Sequence, residues 1–255
     1  MPDSGVPDAT AYLRAARDAA AHVFVDDLED PVLGADDRHH LERVLRLRPG
    51  ETVSAVDGRG GWRLCAFTGT AAHAGGLEPA GEIGHVPPAE PGITIGFALT
   101  KGDRPEWAVQ KLTEIGVERI IPLVTARSVV RWEGDRAGRH LERLREVARQ
   151  AGMQSRRSVL PVVEPATPLA EVLRSTATGA PALAEPGGEP PSLAHPMVLV
   201  GPEGGWDPAE VAAAPATVTL GPHILRTETA AVLAGSLLVA MRSGLAHPIE
   251  RTSGR

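Results

Sequence analysis

The chain has 255 residues, 42% of them hydrophobic and 23% charged, which is enough apolar side chain for a buried core and too few charges for a disordered chain. No run of about 18 apolar residues occurs, which excludes a hydrophobic transmembrane helix, and the stretch Ala15–Ala21 is too short and too polar at Arg17 and Asp18 to read as a secretory signal. The formal net charge of -6 argues against a nucleic-acid partner, but the charge is unevenly spread. Arg127–Arg157 holds nine arginines against four carboxylates, and Arg38–Arg48 holds four arginines against one, whereas Ser158–Thr229 holds two arginines against eight carboxylates. Basic patches on an acidic body are therefore permitted. The single cysteine, Cys65, cannot form an internal disulfide, and a lone thiol fits a reducing, cytoplasmic setting.

In chain order, residues 1–21 read as an N-terminal arm or a frayed first helix. His22–Val25 reads as a short strand. Asp36–Leu47 carries a helical stripe at Leu41, Val44, Leu45 and the stem of Arg48, closed by Pro49-Gly50. Strands follow at Thr52–Val56 and Trp62–Thr68 around a turn at Asp57-Gly58. Short strands and frequent turns imply a small β-barrel domain over residues 22–84. The proline- and glycine-rich run Gly75–Gly92 is the best linker, with the domain boundary at residues 85–92.

Strand–helix alternation begins at residue 93 and runs to 248, before a tail of residues 249–255. Ile93–Leu99 is a strand. Asp103 is a candidate N-cap with Pro105 in the first turn, Ala108, Leu112 and Ile115 form an apolar face, and Gly116 ends the helix. Arg119–Val124 is the next strand. His140–Ala151 is amphipathic, with Leu141, Leu144, Val147, Ala148 and Ala151 inward and arginines on the other face. Gly179–Pro196 reads as a surface loop. Met197–Val200 and Val218–Leu220 are buried-type strands. Thr229–Arg242 is a final helix with Leu233, Leu237, Ala240 and Met241 on one face. The alternation implies an α/β domain built on a mainly parallel sheet.

Two glycine-rich turns carry the functional signal. Gly201-Pro202-Glu203-Gly204-Gly205 follows the strand ending at Val200, and Asp207-Pro208-x-Glu210 then reads as a capping box. Glycines there expose main-chain N–H groups and let a ligand approach closely. The turn lacks the lysine of a phosphate loop, and Glu203 would repel a phosphate. Alone, it is as compatible with a structural bend as with a ligand site. Residues Leu220–Ala230 form the second strand-to-helix crossing, in which Thr227 or Thr229 can cap the helix. Arg226 has no acidic partner at helical spacing and either pairs with Glu203 or Glu228 or is free for chemistry. No His/Cys/Asp cluster has metal-ligand spacing.

The pair of motifs at 200–205 and 220–230 resembles the cofactor signature of the SPOUT methyltransferases of RsmE type. Leu99–Asp103 with Gln110–Val117, and His39–Leu47, are similar to that family too, in the expected order over residues 22–245. The resemblance implies a PUA-like barrel followed by an α/β domain with a deep trefoil knot, and a homodimer with its active site near the subunit boundary. It implies S-adenosylmethionine held by Leu199, Val200, Gly201, Glu203, Gly204 and Gly205 from one turn. Leu220, Gly221, Ile224, Leu225, Arg226, Thr227 and Thr229 would hold it from the other. The implied reaction is methylation of uridine N3 in 16S ribosomal RNA. Two positions depart from the pattern: His22 stands where an arginine is common, and only Gln154 of a Glu-Gln pair is kept.

Methyl transfer from a sulfonium is an in-line displacement that needs no metal, so positioning and charge stabilisation carry the catalysis. Uridine N3 must lose a proton, and a cation facing O2 or O4 lowers that barrier. Arg226 is the candidate, with Glu203 or Glu228 as proton acceptor. Arg43 and Arg46 in the barrel and Arg127, Arg131, Arg156 and Arg157 beyond it are candidate phosphate contacts, for each of which a solvated or structural role is equally open. A SPOUT enzyme acting on transfer RNA or on another ribosomal RNA base, and a non-catalytic RNA-binding module, are the competing readings; intact glycine turns count against the latter.

Overall fold

The structure is a computed structural model that describes residues 9–69, 75–174 and 180–247. Residues 1–8 of the expected N-terminal arm, Gly179 of the expected loop and the tail at 249–255 lie outside the described residues. Two compact units are present: Met1–Pro88 with Gly152–Leu160, and Ala89–Ala151 with Pro161–Arg255. Assignment of Gly152–Leu160 to the first unit has no counterpart in the sequence boundaries.

In the first unit, strands β1 (Ala21–Phe24), β2 (Thr52–Val56), β3 (Gly61–Phe67) and β4 (Leu77–Pro79) form a sheet in that order, and β5 (Gly84–His85) pairs with β3. β1 runs parallel to β2, and β2 antiparallel to β3, Val53 facing Cys65 and Val56 facing Trp62. The period of two splits the side chains into two cores. Val23, Val53, Ala55, Cys65 and Phe67 pack with Leu33 and Leu41, while Phe24, Val56 and Trp62 pack with Tyr12 and Ala16. The Cys65 thiol is fully buried, and burial pushes its pKa up to about 11, so it is a core residue and a poor nucleophile.

Of the two readings of residues 1–21, the helix is the one found, and the free arm is corrected over Ala9–Asp18. Helix α1 (Ala9–Asp18) buries Tyr12 and Ala16, and the Tyr12 hydroxyl donates to the Arg156 carbonyl at 2.6 Å. Arg156, in the left-handed region at φ 56°, donates through its guanidinium to the carbonyls of Ala16 and Ala19. Those are free acceptors at the end of α1, so of the two roles left open for this arginine the structural one, holding the helix, is the one its contacts show. A second correction concerns the stripe at Leu41. Helix α2 (Ala35–His39) runs into a π-helical turn at His40–Val44, whose wider pitch breaks the 3.6-residue period. Leu41 is buried, but Val44 and Leu45 are 60% and 47% exposed.

The second unit is a seven-stranded sheet whose pairings are all parallel. Its strands are β6 (Thr94–Ala98), β7 (Arg119–Val124), β8 (Val162–Val163), β9 (Thr167–Pro168), β10 (Pro181–Glu189), β11 (Met197–Val200) and β12 (Ala216–Val218). The order is β12-β10-β11-β6-β7-β8, with β9 also on β7. Every residue of β6 and β11 is buried, as expected of parallel strands covered on both faces. On one face, Ile95, Phe97, Val198 and Val200 meet α3 (Arg104–Ile115), α4 (Asp135–Gln154) and α7 (Thr227–Arg242) through Leu112, Leu144 and Leu238. On the other, Leu123, Leu183 and Leu199 meet α5 (Leu169–Arg174) and α6 (Pro208–Ala213) through Val172 and Val211.

Several expectations in this unit need correction. The supposed loop Gly179–Pro196 contains β10, which lies between β11 and β12. Proline is tolerated at a strand's first position, Ala182 and Leu183 are fully buried, and a register shift separates Ala184 from Glu189 against β12. Gly188 is required there, because a Cβ would stand 2.7 Å from the Thr217–Val218 backbone. β12 ends at Val218, which leaves Leu220 in the crossing loop. Asp103 occupies the N-cap position of α3 without a side-chain cap bond, while Gly116 closes that helix at φ 102°. In α7 the buried face is Ala230, Ala231, Ala234, Gly235 and Leu238, and Leu233, Leu237, Ala240 and Met241 are only half-buried.

His22 lies in the first unit, 5% exposed. Its Nε2 is 3.1 Å from the Arg157 carbonyl and its Nδ1 2.8 Å from Ser54 Oγ. A carbonyl only accepts, so Nε2 donates to it, and because burial keeps the ring neutral Nδ1 is left as an acceptor for the Ser54 hydroxyl. Burial, more than the nearby Arg156 charge, lowers its pKa from 6.5 to about 4. The unfolded chain therefore binds a proton that the native state refuses, and the stability from neutral His22 is complete above 6.5 and declines as pH falls towards 4. We expect wild-type stability to drop by about 2–3 kcal/mol over that window from this group. Thermal unfolding of wild type and His22→Gln across the window checks it; parallel pH profiles would remove His22 as the cause.

Candidate active site

The carboxyl ends of β10, β11 and β12 enclose a cavity of about 440 Å³, at the edge of a parallel sheet where ligands commonly bind. The turn after β11 forms its floor. The Gly205 N–H donates to the Pro202 carbonyl at 2.8 Å, with Gly205 at φ 69°. Gly201 is glycine because the Trp206 ring lies against it, 2.9 Å from where a Cβ would be. That ring's Nε1 donates to the Ala184 carbonyl at 2.9 Å, which fixes the middle of β10 to the turn. The capping box forms as the sequence predicts: Asp207 accepts from the Ala209 N–H at 3.0 Å, and Glu210 accepts from the Asp207 N–H at 2.9 Å. The other Glu210 oxygen accepts from the Ala126 N–H at 2.8 Å. This anchors the loop after β7, from which Arg127 donates to the Gly204 carbonyl at 3.0 Å.

The second crossing closes over this floor. Gly221 takes φ 118°, a region closed to most side chains. Ile224 is 96% exposed, and Leu225 packs on the core. Thr227, a candidate cap, is buried and does not cap. Its hydroxyl donates to the Gly201 carbonyl at 2.9 Å, tying one turn to the other. Arg226 holds the N-cap position of α7 with no side-chain cap bond, so the first N–H groups of that helix have no side-chain acceptor. Thr229 is exposed.

Of the residues the sequence singles out, Val200, Gly201, Glu203, Gly204, Gly205, Leu220, Gly221, Ile224, Leu225 and Thr227 line this one cavity. Leu199 points into the opposite core, and Arg226, Glu228 and Thr229 do not line the cavity. Sequence reasoning missed Ala184, Glu185 and Pro186, which the loop reading of β10 concealed, and also Trp206. The buried-type pair Ala182-Leu183 is the signal that could have revealed that strand. It also missed Arg104. Arg104 Nη1 is 2.6 Å from Glu203, and its Nε is 3.7 Å from Glu228, so both carboxylates expected near Arg226 are paired by α3 instead. Among the described residues Arg226 has no ion pair, and one Glu228 oxygen is buried without a hydrogen-bond partner. Of the other candidate arginines, Arg43, Arg46 and Arg131 are exposed, Arg127 lies on the first turn, and Arg157 is half-buried.

The lining suits an uncharged ring system joined to a cation. Val200, Pro202, Leu220, Ile224 and Leu225 are apolar, and two carboxylates, Glu185 and Glu203, face the cavity against one guanidinium, Arg127. At Gly205 and Gly221 nothing stands within 4 Å of the Cβ position, so a ligand can reach the main chain there. Among the described residues there is no group of three or more His, Cys, Asp or Glu able to hold a metal, and no helix is long and apolar enough to cross a membrane.

The second unit is a three-layer α/β domain with a cavity lined largely by main chain at the edge of its sheet. A family profile described as an RNA methyltransferase domain matches residues 88–239, and one described as an RNA methyltransferase PUA domain matches residues 33–73. Ribosomal RNA small subunit methyltransferase E of Mycobacterium bovis is 37% identical over 232 residues, 83% of this chain and 88% of that protein. The Bacillus subtilis protein of the same name is 29% identical over 78% of this chain and 86% of its own length. Among solved structures, the Neisseria gonorrhoeae ribosomal RNA small subunit methyltransferase E bound to S-adenosylmethionine superposes with a TM-score of 0.70 at 30% identity. It covers 87% of this chain and 97% of that one. A probable rRNA methyltransferase from Porphyromonas gingivalis gives 0.75 at 27% identity, over 89% of this chain and 100% of that one. The chain belongs to the ribosomal RNA small subunit methyltransferase E family.

Thr227→Val keeps the side-chain volume and removes the bond between the two turns. We expect a loss of about 1–2 kcal/mol in stability, from a part-buried carbonyl left without its donor, together with weaker cofactor binding. Thermal unfolding with and without S-adenosylmethionine measures both. Unchanged values for both would show that the turns are held together without this bond.

Proposed function

We propose that this protein methylates N3 of a uridine in 16S ribosomal RNA, using S-adenosylmethionine. The observation that carries the reading is the closure of two glycine turns on one acid-lined cavity by Thr227, beside an arginine with no ion pair, in a chain of this family. S-adenosylmethionine supplies an electrophilic methyl group. The open main chain at Gly204, Gly205 and Gly221 would hold it, with Leu220, Ile224 and Leu225 as apolar wall and Glu185 and Glu203 facing its positive charge. Arg226 stands between two lining residues, Leu225 and Thr227, and stabilises the uridine anion that forms when N3 loses its proton. The proton acceptor belongs to the pair held by Arg104: Glu203 lines the cavity, and Glu228 keeps one oxygen unpartnered.

The same reading includes a trefoil knot, a closed PUA-like barrel and a homodimer. The return of α7 from the edge strand β12 to pack on α3 and β6 is consistent with threading. The half-buried Leu233, Leu237 and Met241 on α7 and the 43% exposed Trp107 on α3 supply apolar surface for a second copy. Sedimentation equilibrium showing only monomer at micromolar concentration would exclude the dimer. A ribosomal RNA substrate places the protein in the cytoplasm.

S-adenosylmethionine is expected to raise the melting temperature with the logarithm of its concentration. Gly204→Val should abolish that shift while the free protein melts normally, because the nearest atom to the new Cβ is 4.0 Å away and the side chain occupies ligand space. A shift with ATP and none with S-adenosylmethionine would overturn the cofactor. Arg226→Ala should lower the single-turnover rate on methyl-free 16S RNA by about 100-fold, with little loss of stability since no ion pair is broken. The rate should recover partly at alkaline pH, where N3 ionises more readily. Nucleoside mass spectrometry of the product identifies the base and position; a methyl group elsewhere than uridine N3 would refute the reaction.

A further inference from the structure

A second cavity, of about 340 Å³, opens at the carboxyl ends of β6 and β7, beside the first along the same sheet edge. Its walls come from the loop after β6 at Thr100–Gly102, the loop after β7 at Val130–Trp132, the first turn of α3, and α4 at Arg136 and His140. The Trp132 and His140 rings are stacked, with centroids 4.5 Å apart and planes inclined by 13°. Trp132 packs against the core, and His140 is exposed. The outer face of His140 is thus a flat aromatic surface on a rigid support.

Three exposed cations, Lys101, Arg131 and Arg136, surround this surface, and none has an ion pair among the described residues. The one carboxylate in the lining, Glu106, is taken by Arg143 at 3.2 Å. An aromatic plane ringed by uncompensated cations matches an unstacked nucleotide: the base lies on the ring and the phosphate meets the cations. Arg104 connects the two cavities, since it precedes the lining residue Pro105 of the second and pairs with Glu203 of the first.

We propose that this groove binds one unpaired nucleotide of the RNA strand, a neighbour of the uridine being methylated, by stacking on His140 and by phosphate contact with Lys101, Arg131 and Arg136. This rests on the RNA methyltransferase reading above. Occupation of both cavities by one strand fixes the target base relative to the cofactor through a contact outside the reacting atoms.

The test uses the full chain, methyl-free 16S RNA and a fluorescently labelled single-stranded oligouridylate. For His140→Ala, the RNA concentration giving half-maximal single-turnover rate should rise by about tenfold, and His140→Phe should restore it by keeping the stack. Arg131→Ala with Arg136→Ala should weaken oligouridylate binding and reduce the slope of log affinity against log salt by about one to two. The thermal shift given by S-adenosylmethionine should stay as in wild type for each variant, which separates this groove from the cofactor cavity. Unchanged half-saturation in His140→Ala and an unchanged salt slope in the arginine variant would overturn the groove. If wild type itself does not methylate the RNA, the functional reading fails, and oligouridylate anisotropy alone then decides: binding lost in the variants upholds the groove, equal binding overturns it.

Discussion

Helix α7 meets α3 and the sheet through Ala230, Ala231, Ala234 and Gly235, and the closeness of that contact determines where the helix begins. At Gly235 an added Cβ would stand 2.9 Å from Leu112 and 3.1 Å from Ile115, so the two helices approach as nearly as a side chain of no volume allows. Because α7 is held there, its first residue, Thr227, reaches the Gly201 carbonyl, and the crossing loop is drawn over the turn after β11. The apolar walls of the cavity come from that loop and its acidic floor from the turn. A helix resting on leucines would start farther from β11 and leave the turns apart. Small residues on the buried face also explain why the larger ones, Leu233, Leu237 and Met241, stand to the side.

The acidic residues of the site are organised by a cation that the sequence pattern does not advertise. Arg104 begins α3, far in sequence from either glycine turn, and it pairs with Glu203 from one and Glu228 from the other. Neighbours in sequence suggest Arg226 for that task, but Arg226, at the start of α7, is exposed and has no ion pair among the described residues. Arg104 thus holds both carboxylates, and Arg226 is left outside their pairing. Both pairs of Arg104 are at least partly exposed, so their contribution to stability is small beside their effect on where the carboxylates point.

Most of the architecture is legible in the sequence where the buried pattern is continuous. Arg119–Val124 and Met197–Val200 are strands with the predicted limits, and the capping box at Asp207 and Glu210 forms as written because its bonds are local. Legibility fails where tertiary contact overrides composition. Proline and glycine in Pro181–Glu189 signal a loop, yet Ala182 and Leu183 supply the burial that makes it a central strand, and Gly188 serves the close approach of a neighbouring strand. The π-helical turn at His40 shifts the period that the stripe at Leu41 relies on. The cavity itself was half readable: both glycine turns announce themselves, whereas Glu185 and Trp206 belong to it only through the pairing of β10. Arg156 shows the same limit from the other side, since nothing nearby in sequence reveals that its guanidinium ends on carbonyls of α1.

Charge placement resolves the conflict between an acidic chain and a polyanionic substrate. Net charge governs long-range behaviour, but binding depends on the field within about 8–10 Å of the contact at physiological salt. The carboxylates in the cavity at β10, β11 and β12 suit a cationic methyl donor, and they would repel a phosphate. At β6 and β7 the lining carries Lys101, Arg131 and Arg136, which have no ion pair among the described residues, and one carboxylate, Glu106, which Arg143 holds much as Arg104 holds Glu203. On the proposed reading the sheet edge has a carboxylate-lined half for the cofactor and a cation-lined half for the strand, with Arg104 between them. An RNA laid along that edge is attracted at one end and repelled at the other, so its backbone is kept out of the cofactor cavity. An uncharged base can still enter where a phosphate cannot. On that reading the polarity favours an uncharged base over a phosphate at the cofactor cavity, in a chain whose overall charge is negative.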